Sequence, residues 1–377
     1  MVSRLFVAFV VGVTLLGLEG AGEKQARAGE TSRSEYKVLA PIRHGNLTVF
    51  PVVASSSHNT QQFLTLDEGL RSGEVVVSEA GAIRPMVRRR SGPMPPIREG
   101  AQVNQLMLVN NSSRPLLLLA GEIVSGGKQD RVIAKDRIVP AESDPIDLGV
   151  FCVEPGRWVG TSSKFYSKGG MASAMAAPGV RSKAMSDKDQ QKVWSEVGKT
   201  RAAMIASVPA AGETVTVQGE APEIQAMQTT TSYAKLMDNK AVQKQVDSVA
   251  APMESDYKSV IKQLRDRNAV GVVVAVNDEI IWADMFASTD LLQKYWPKLV
   301  RSYAAEAIAT HATGKKVDEG AAQAFLEQMS GRHENVESEP GLYRHTEITG
   351  DGFKVFELTS LLPKTGFELH VAKMAEN

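Results

Sequence analysis

Cysteine is almost absent from this chain of 377 residues. The single Cys152 cannot close an intrachain disulfide, so the fold must rest on a hydrophobic core, which a chain of this length can build. Net charge is missing as well: 43 basic residues meet 43 acidic ones. That balance removes any global case for nucleic acid or an anionic membrane surface as a partner. Beyond residue 18 no apolar run approaches the ~20 residues that a membrane-spanning helix needs. Histidines are few and scattered, at 44, 58, 311, 333, 345 and 370, with no short ligand spacing, so neither a metal nor a cofactor is expected. The nucleophile elbow G-x-S-x-G and the zinc helix H-E-x-x-H are both lacking.

What is present begins at the N-terminus. Arg4 precedes the apolar run Leu5 to Leu18, and small residues follow, including Ala26-Arg27-Ala28. The run is short for a span but suits the hydrophobic region of an export signal, removed near residue 28. An uncleaved anchor gives the same exported topology. The expectation is a periplasmic or secreted protein, not integral to the membrane once the signal is gone.

Length allows two or three domains. From 36 to 165 the pattern is strand-rich: Leu47 to Val53, Glu74 to Ser78, Val103 to Asn110, Pro115 to Ala120, Arg131 to Val139 and Ile146 to Val153 are short, branched and separated by turn formers. Thr65 followed by Glu68 predicts one capped helix within it. Asn110 to Ser113 reads as a hairpin connection between flanking strands. Residues 166–187 are dominated by Gly, Ser, Ala and Met and predict a mobile loop. In 188–377, helical and hairpin sequence is expected to pack on the first domain. An amphipathic helix starts at Ser186-Asp187, and a loose stretch follows at 208–230. Further helix runs from Ser232 to Arg267. A two-residue turn at Asn277-Asp278 joins two strands, and Ser288 caps a helix that Pro297 should kink or restart. Strands return at Gly352 to Leu358 and Gly366 to Lys373. The fold class is α+β.

Two segments carry the chemistry. In GEIVSGGKQDRV, Gly121 and Gly126 have P-loop separation, but Lys128 is one place late, Gln129 replaces the hydroxyl residue, and strand-like sequence follows. A nucleoside-triphosphatase loop is excluded. Gly126-Gly127 can still form a backbone nest for an anion, with Lys128 and Arg131 adding charge. The alternative is a glycine hairpin with solvated charges and a salt bridge from Asp130 or Glu122. In FCVEPGRW, only four residues separate Cys152 from Arg157, and Pro155 donates no N–H, so the spacing is wrong for a cysteine phosphatase. Arg84, Arg88, Arg89, Arg90 and Arg98 form a separate basic patch, either a solvated loop or an anion-attracting surface.

Together, LTVFPV, TLDEGL, LLLLAGEIVSGGKQDRVI, FCVEPGRW, VNDEIIWADMF and LLQKYWPKLVRSYA resemble the ARG and Rhodanese-Phosphatase-superfamily-associated Protein domain family. The resemblance spans Leu47 to about Ala305. It implies nucleotide or phosphosugar chemistry through the family's associations and transfers no catalytic residue. It also joins the two segments into one expected site for a small anionic or polar ligand, nucleotide- or sugar-derived. Gly126 and Gly127 supply donors, Arg131 and Arg157 hold charge, Trp158 stacks, and Gln129 and Glu154 orient hydroxyls. A hydrolase with Glu122 or Glu154 as general base is the rival expectation, and a cell-envelope interaction protein is the third.

Overall fold

The computed structural model describes residues 36–79, 106–156, 164–166, 174–207, 225–226, 228–264, 267–310 and 317–376. The expected export signal, the basic patch, residues 208–224, Arg157 and Trp158 lie outside them. In chain order, β1 (Lys37–Val38), β2 (Ile42–His44), β3 (Leu47–Ala54) and β4 (Leu64–Thr65) lead into α1 (Leu66–Ser72). Short strands follow: β5 (Val75–Glu79), β6 (Leu106–Asn110), β7 (Leu116–Leu118), β8 (Ile123–Gly126), β9 (Arg131–Ile133) and β10 (Arg137–Val139). Then come β11 (Ile146–Asp147), β12 (Val150–Cys152) and β13 (Lys164–Tyr166). Helices α2 (Pro178–Ser182), α3 (Gln190–Ser207), α4 (Tyr233–Asp238) and α5 (Lys240–Gln263) precede the hairpin of β14 (Asn268–Val276) and β15 (Glu279–Phe286). The chain closes with α6 (Thr289–Ala309), α7 (Glu319–Glu327), β16 (Arg332–Glu339), β17 (Tyr343–Gly350), β18 (Phe353–Ser360) and β19 (Glu368–Ala375). The architecture is α+β, as the patterning indicates.

A nine-stranded antiparallel sheet, β1-β3-β14-β15-β19-β18-β17-β16 with β2 also on β3, is the central layer. β3 lies beside β14, so the early strands and the late hairpin share one sheet. Successive residues of a strand face opposite sides. Val272, Val274 and Val276 therefore join the core under α3, α5 and α6, while Val273 and Ala275 join a second core that α7 covers with Ala322 and Leu326. Burial on both faces explains why GVVVAV is continuously apolar, with no alternation. The β14–β15 turn is made by Asn277 and Asp278 at φ 53° and 62°, left-handed angles that the two-residue hairpin requires.

Two smaller sheets stand against this layer: β10-β7-β4, and β11-β6-β5-β13-β8-β9-β12. Thr65 and Glu68 form the complete capping box expected of α1. Among the described residues no helix is long and apolar enough to cross a membrane.

Several local expectations change. Asn110 to Ser113 does not join a hairpin, because β6 pairs with β5 and β11 while β7 pairs with β10 and β4. The Asn110 side chain instead donates to the Arg114 and Pro140 carbonyls at 2.8 and 2.9 Å, turning the chain from one sheet to the next. Arg131 to Val139 is two strands in different sheets. Residues 174–187, expected as part of a mobile loop, are packed: Met175, Ala176, Ala177 and Arg181 are buried, and a π-helical turn over Lys183–Asp187 follows α2. The small side chains of Ala176, Ala177 and Ala184 allow close approach to the core. Helix α3 accordingly starts later, with Asp189 accepting the Lys192 N–H at 2.9 Å. Pro297 lies inside one continuous α6, so the helix does not restart there.

Candidate functional site

β8 and β9 pair through Ile123 with Val132 and Val124 with Arg131, which leaves Gly126 to Asp130 as the connecting loop. Three of its backbone donors are taken by acids of the chain itself. Gly126 N–H donates to Asp130 Oδ1 at 3.2 Å, Lys128 N–H to Glu79 Oε1 at 3.1 Å, and Asp130 N–H to Glu154 Oε2 at 3.2 Å. The nest expected for an outside anion is thus lined by carboxylates already in place. Gly127 is dictated by packing as well: at φ 52°, a Cβ there would sit 2.3 Å from the Phe165 ring.

The second segment arrives by strand pairing. β12 lies on β9 with Cys152 opposite Arg131, so Glu154 falls beside the loop. Gln129 Nε2 donates to the Glu154 carbonyl at 3.1 Å, and Val153 N–H donates to the Asp130 carbonyl at 3.0 Å. The GGKQDR and FCVEPG segments therefore meet. Gln129 and Arg131 are fully buried, and Glu154 nearly so.

Helices that sequence spacing did not implicate complete the junction. The Ser232 hydroxyl donates to Asp130 Oδ2 at 2.6 Å while accepting the Lys235 N–H at 3.0 Å as the cap of α4. Lys235 Nζ stands 3.9 Å from Glu154 Oε1. Gln190, at the start of α3, behaves like one more strand residue: its Oε1 accepts the Cys152 N–H at 2.8 Å and its Nε2 donates to the Cys152 carbonyl at 2.9 Å. A Ser that caps a helix was a readable signal; its reach to Asp130 was not. Within this packed junction, Gln129 Oε1 is buried with no hydrogen-bond partner.

The ARG and Rhodanese-Phosphatase-superfamily-associated Protein domain matches residues 35–372, which includes both segments and the strands and helices that carry them. The chain belongs to that family. No curated protein and no solved structure matches it.

In this member of the ARG and Rhodanese-Phosphatase-superfamily-associated Protein domain family, the remaining candidates take buried positions. Burial pushes the Cys152 thiol up, with Arg131 only partly opposing, so the thiol stays protonated and has the character of a core residue. Glu122 is fully buried. Its Oε2 accepts the Leu119 N–H at 2.8 Å, and its Oε1 is bonded to Lys298 Nζ, which also holds Asp67 Oδ2 at 2.9 Å. Two carboxylates share one ammonium here. Burial and the Asp67 charge raise Glu122, while the two acids together outweigh burial and keep Lys298 charged.

A second buried group adjoins the first. His370 lies between Asp136, with Nδ1 to Oδ2 at 2.5 Å, and Asp284, with Nε2 to Oδ1 at 3.1 Å. Asp284 also receives both Arg181 Nη atoms, at 2.9 and 3.0 Å, and the Tyr303 hydroxyl. Burial disfavours the imidazolium, but the two aspartates outweigh it and lift His370 to about 9. Burial would raise Asp284 too, yet Arg181 and His370 hold it far below the ordinary carboxylate range. Among the described residues no group of His, Cys, Asp or Glu is arranged to hold a metal ion.

Proposed function

We propose that this family member is an exported protein that binds a small polar, hydroxyl-bearing ligand at the junction of the Gly126–Arg131 loop and Glu154. The observation that carries the reading is Gln129. Its amide nitrogen is committed to Glu154 while its buried Oε1 has no donor, a cost that a ligand O–H or N–H removes. Carboxylates of Glu79, Asp130 and Glu154 already line the loop, which favours a ligand presenting hydroxyls or amines over a bare anion such as phosphate. A sugar or nucleoside portion fits that demand. Export is supported by the apolar run Leu5 to Leu18 and the small residues after it.

The test is a thermal-shift panel of ADP-ribose, nucleosides, sugars, sugar phosphates, cell-wall fragments and inorganic phosphate, repeated with Gln129→Met. A sugar-bearing compound should raise the melting temperature of the native chain and not that of the variant. Stabilisation by inorganic phosphate alone, or equal stabilisation of both proteins, refutes the assignment. Product formation from the same compound would mark a hydrolase. Fractionation of the expressing cells and N-terminal sequencing of the mature chain test export.

A further inference from the structure

The β8–β9 hairpin carries the Gly126–Arg131 loop at its tip and a buried acid on each leg at its base. Glu122 immediately precedes β8 and Asp136 follows β9; both are fully buried. Each acid has two tasks. Glu122 accepts the Leu119 N–H and Asp136 accepts the Ala120 N–H at 2.7 Å, so together they fix the turn that leads into the hairpin. Their other oxygens reach across the interface to cations on different elements, Lys298 of α6 and His370 of β19.

Between these anchors the backbone is pressed onto a third cation. Gly121, at φ 94°, lies against Arg181, so that a Cβ would stand 2.5 Å from Arg181 Cγ and 2.7 Å from Nε. Arg181 in turn holds Asp284, which holds His370. The base of the hairpin is therefore tied to α6 and β19 through charge and packs closely against Arg181 of α2. Charge-assisted bonds in a dry interior are directional, and an acid left without its cation there is strongly disfavoured, so the hairpin has one permitted seating.

We propose that Glu122 and Asp136 are positioning residues for the Gly126–Arg131 loop, setting its placement on β12 and α4 through Lys298 and His370. The importance of that placement for a ligand rests on the binding reading above; the anchoring does not.

Amide hydrogen exchange on the full-length chain, followed residue by residue, tests the anchoring without any ligand. The conservative variants Glu122→Gln and Asp136→Asn keep the shape and remove the charge. Opening of the loop amides of Gly126, Lys128 and Asp130 should accelerate at least tenfold, while Val272 and Val274 in the central sheet change less than twofold. Lys188→Met, which breaks the pair with Glu347 elsewhere on the surface, should leave the loop amides unchanged. Should either acid variant fail to fold, Gly121→Ala disturbs the same base through Arg181 and should produce the same local pattern. Acceleration shared equally by loop and central sheet, or unchanged loop amides in a folded variant, overturns the proposal. Because no ligand enters, a failed ligand screen leaves this result standing, and the reverse holds too.

Discussion

Gln129 donates its side-chain amide to the Glu154 carbonyl at 3.1 Å, and that contact ties the tip of one hairpin to the chain leaving β12. The same amide group buries an acceptor that bonds to nothing. Replacing it with Met deletes one good bond and one unmet acceptor together, so Gln129→Met should cost about 1 kcal/mol or less. Gln129→Glu places a charge beside Glu154 and Asp130 and should cost roughly 3 kcal/mol. Urea midpoints of the two variants decide the matter. Equal tolerance of Met and Glu would mean that the Gln129 side chain reaches water.

His370 gives the fold a pH dependence with a definite sign. Its pKa rises from 6.5 in the unfolded chain to about 9 in the folded one, because Asp136 and Asp284 outweigh burial. The folded state therefore binds the proton more tightly. The stability this supplies is complete below pH 6.5 and drains away as pH climbs through 9. Urea unfolding at pH 6, 7.5 and 9 should show a steady decline, and His370→Gln should flatten it while costing about 3–5 kcal/mol near neutrality. A flat profile in the native chain would show that His370 is neutral between its two acids.

Much of the fold was legible because its signals are local. Thr65 with Glu68, Asn277 with Asp278, and Ser288 before α6 each specify a cap or turn through neighbours in sequence, and each forms as expected. The meeting of the two candidate segments was suggested by the family resemblance, and strand pairing of β9 with β12 brings it about. β16 and β17 give no strand signal in sequence because their polar residues, as in RHENVESE, carry no apolar alternation; pairing along the sheet holds them there. The alanine-rich residues 174–187 read as loose because small side chains signal both mobility and close packing. The charged interior was invisible for another reason: Asp136, Arg181, Asp284 and His370 are far apart in sequence, and only the fold assembles them.

Glu306 should be a residue that the fold tolerates at a cost. Burial raises its carboxyl, the Gly179 N–H at 2.9 Å opposes, and nearby Glu196 raises it further. A raised acid holds its proton more tightly when folded. It therefore subtracts stability as pH climbs past its unfolded value of 4.5. Glu306→Gln keeps an acceptor for Gly179 and should stabilise the protein by about 0.5 kcal/mol at pH 7, with little effect at pH 4. Thermal melts of the pair at both pH values check the direction. Destabilisation at pH 7 would show that the charged form has a favourable partner.

Gly127 separates two roles for the paired glycines. An anion nest needs its backbone angles and little else, whereas the packing around it also forbids a side chain: an added Cβ meets Phe165 ring carbons at 2.3 and 2.5 Å and Glu79 Oε1 at 2.6 Å. Phe165 belongs to β13, the strand that links β5 to β8. Gly127→Ala should therefore cost roughly 2–3 kcal/mol through left-handed strain and a displaced ring. Trimming the ring should return part of that loss, so Phe165→Leu combined with Gly127→Ala should be less damaging than the sum of the two alone by about 1 kcal/mol. Strict additivity would place the whole cost in the backbone. Strain alone would then account for the loss, and the close approach of β13 would not be what demands glycine at this position.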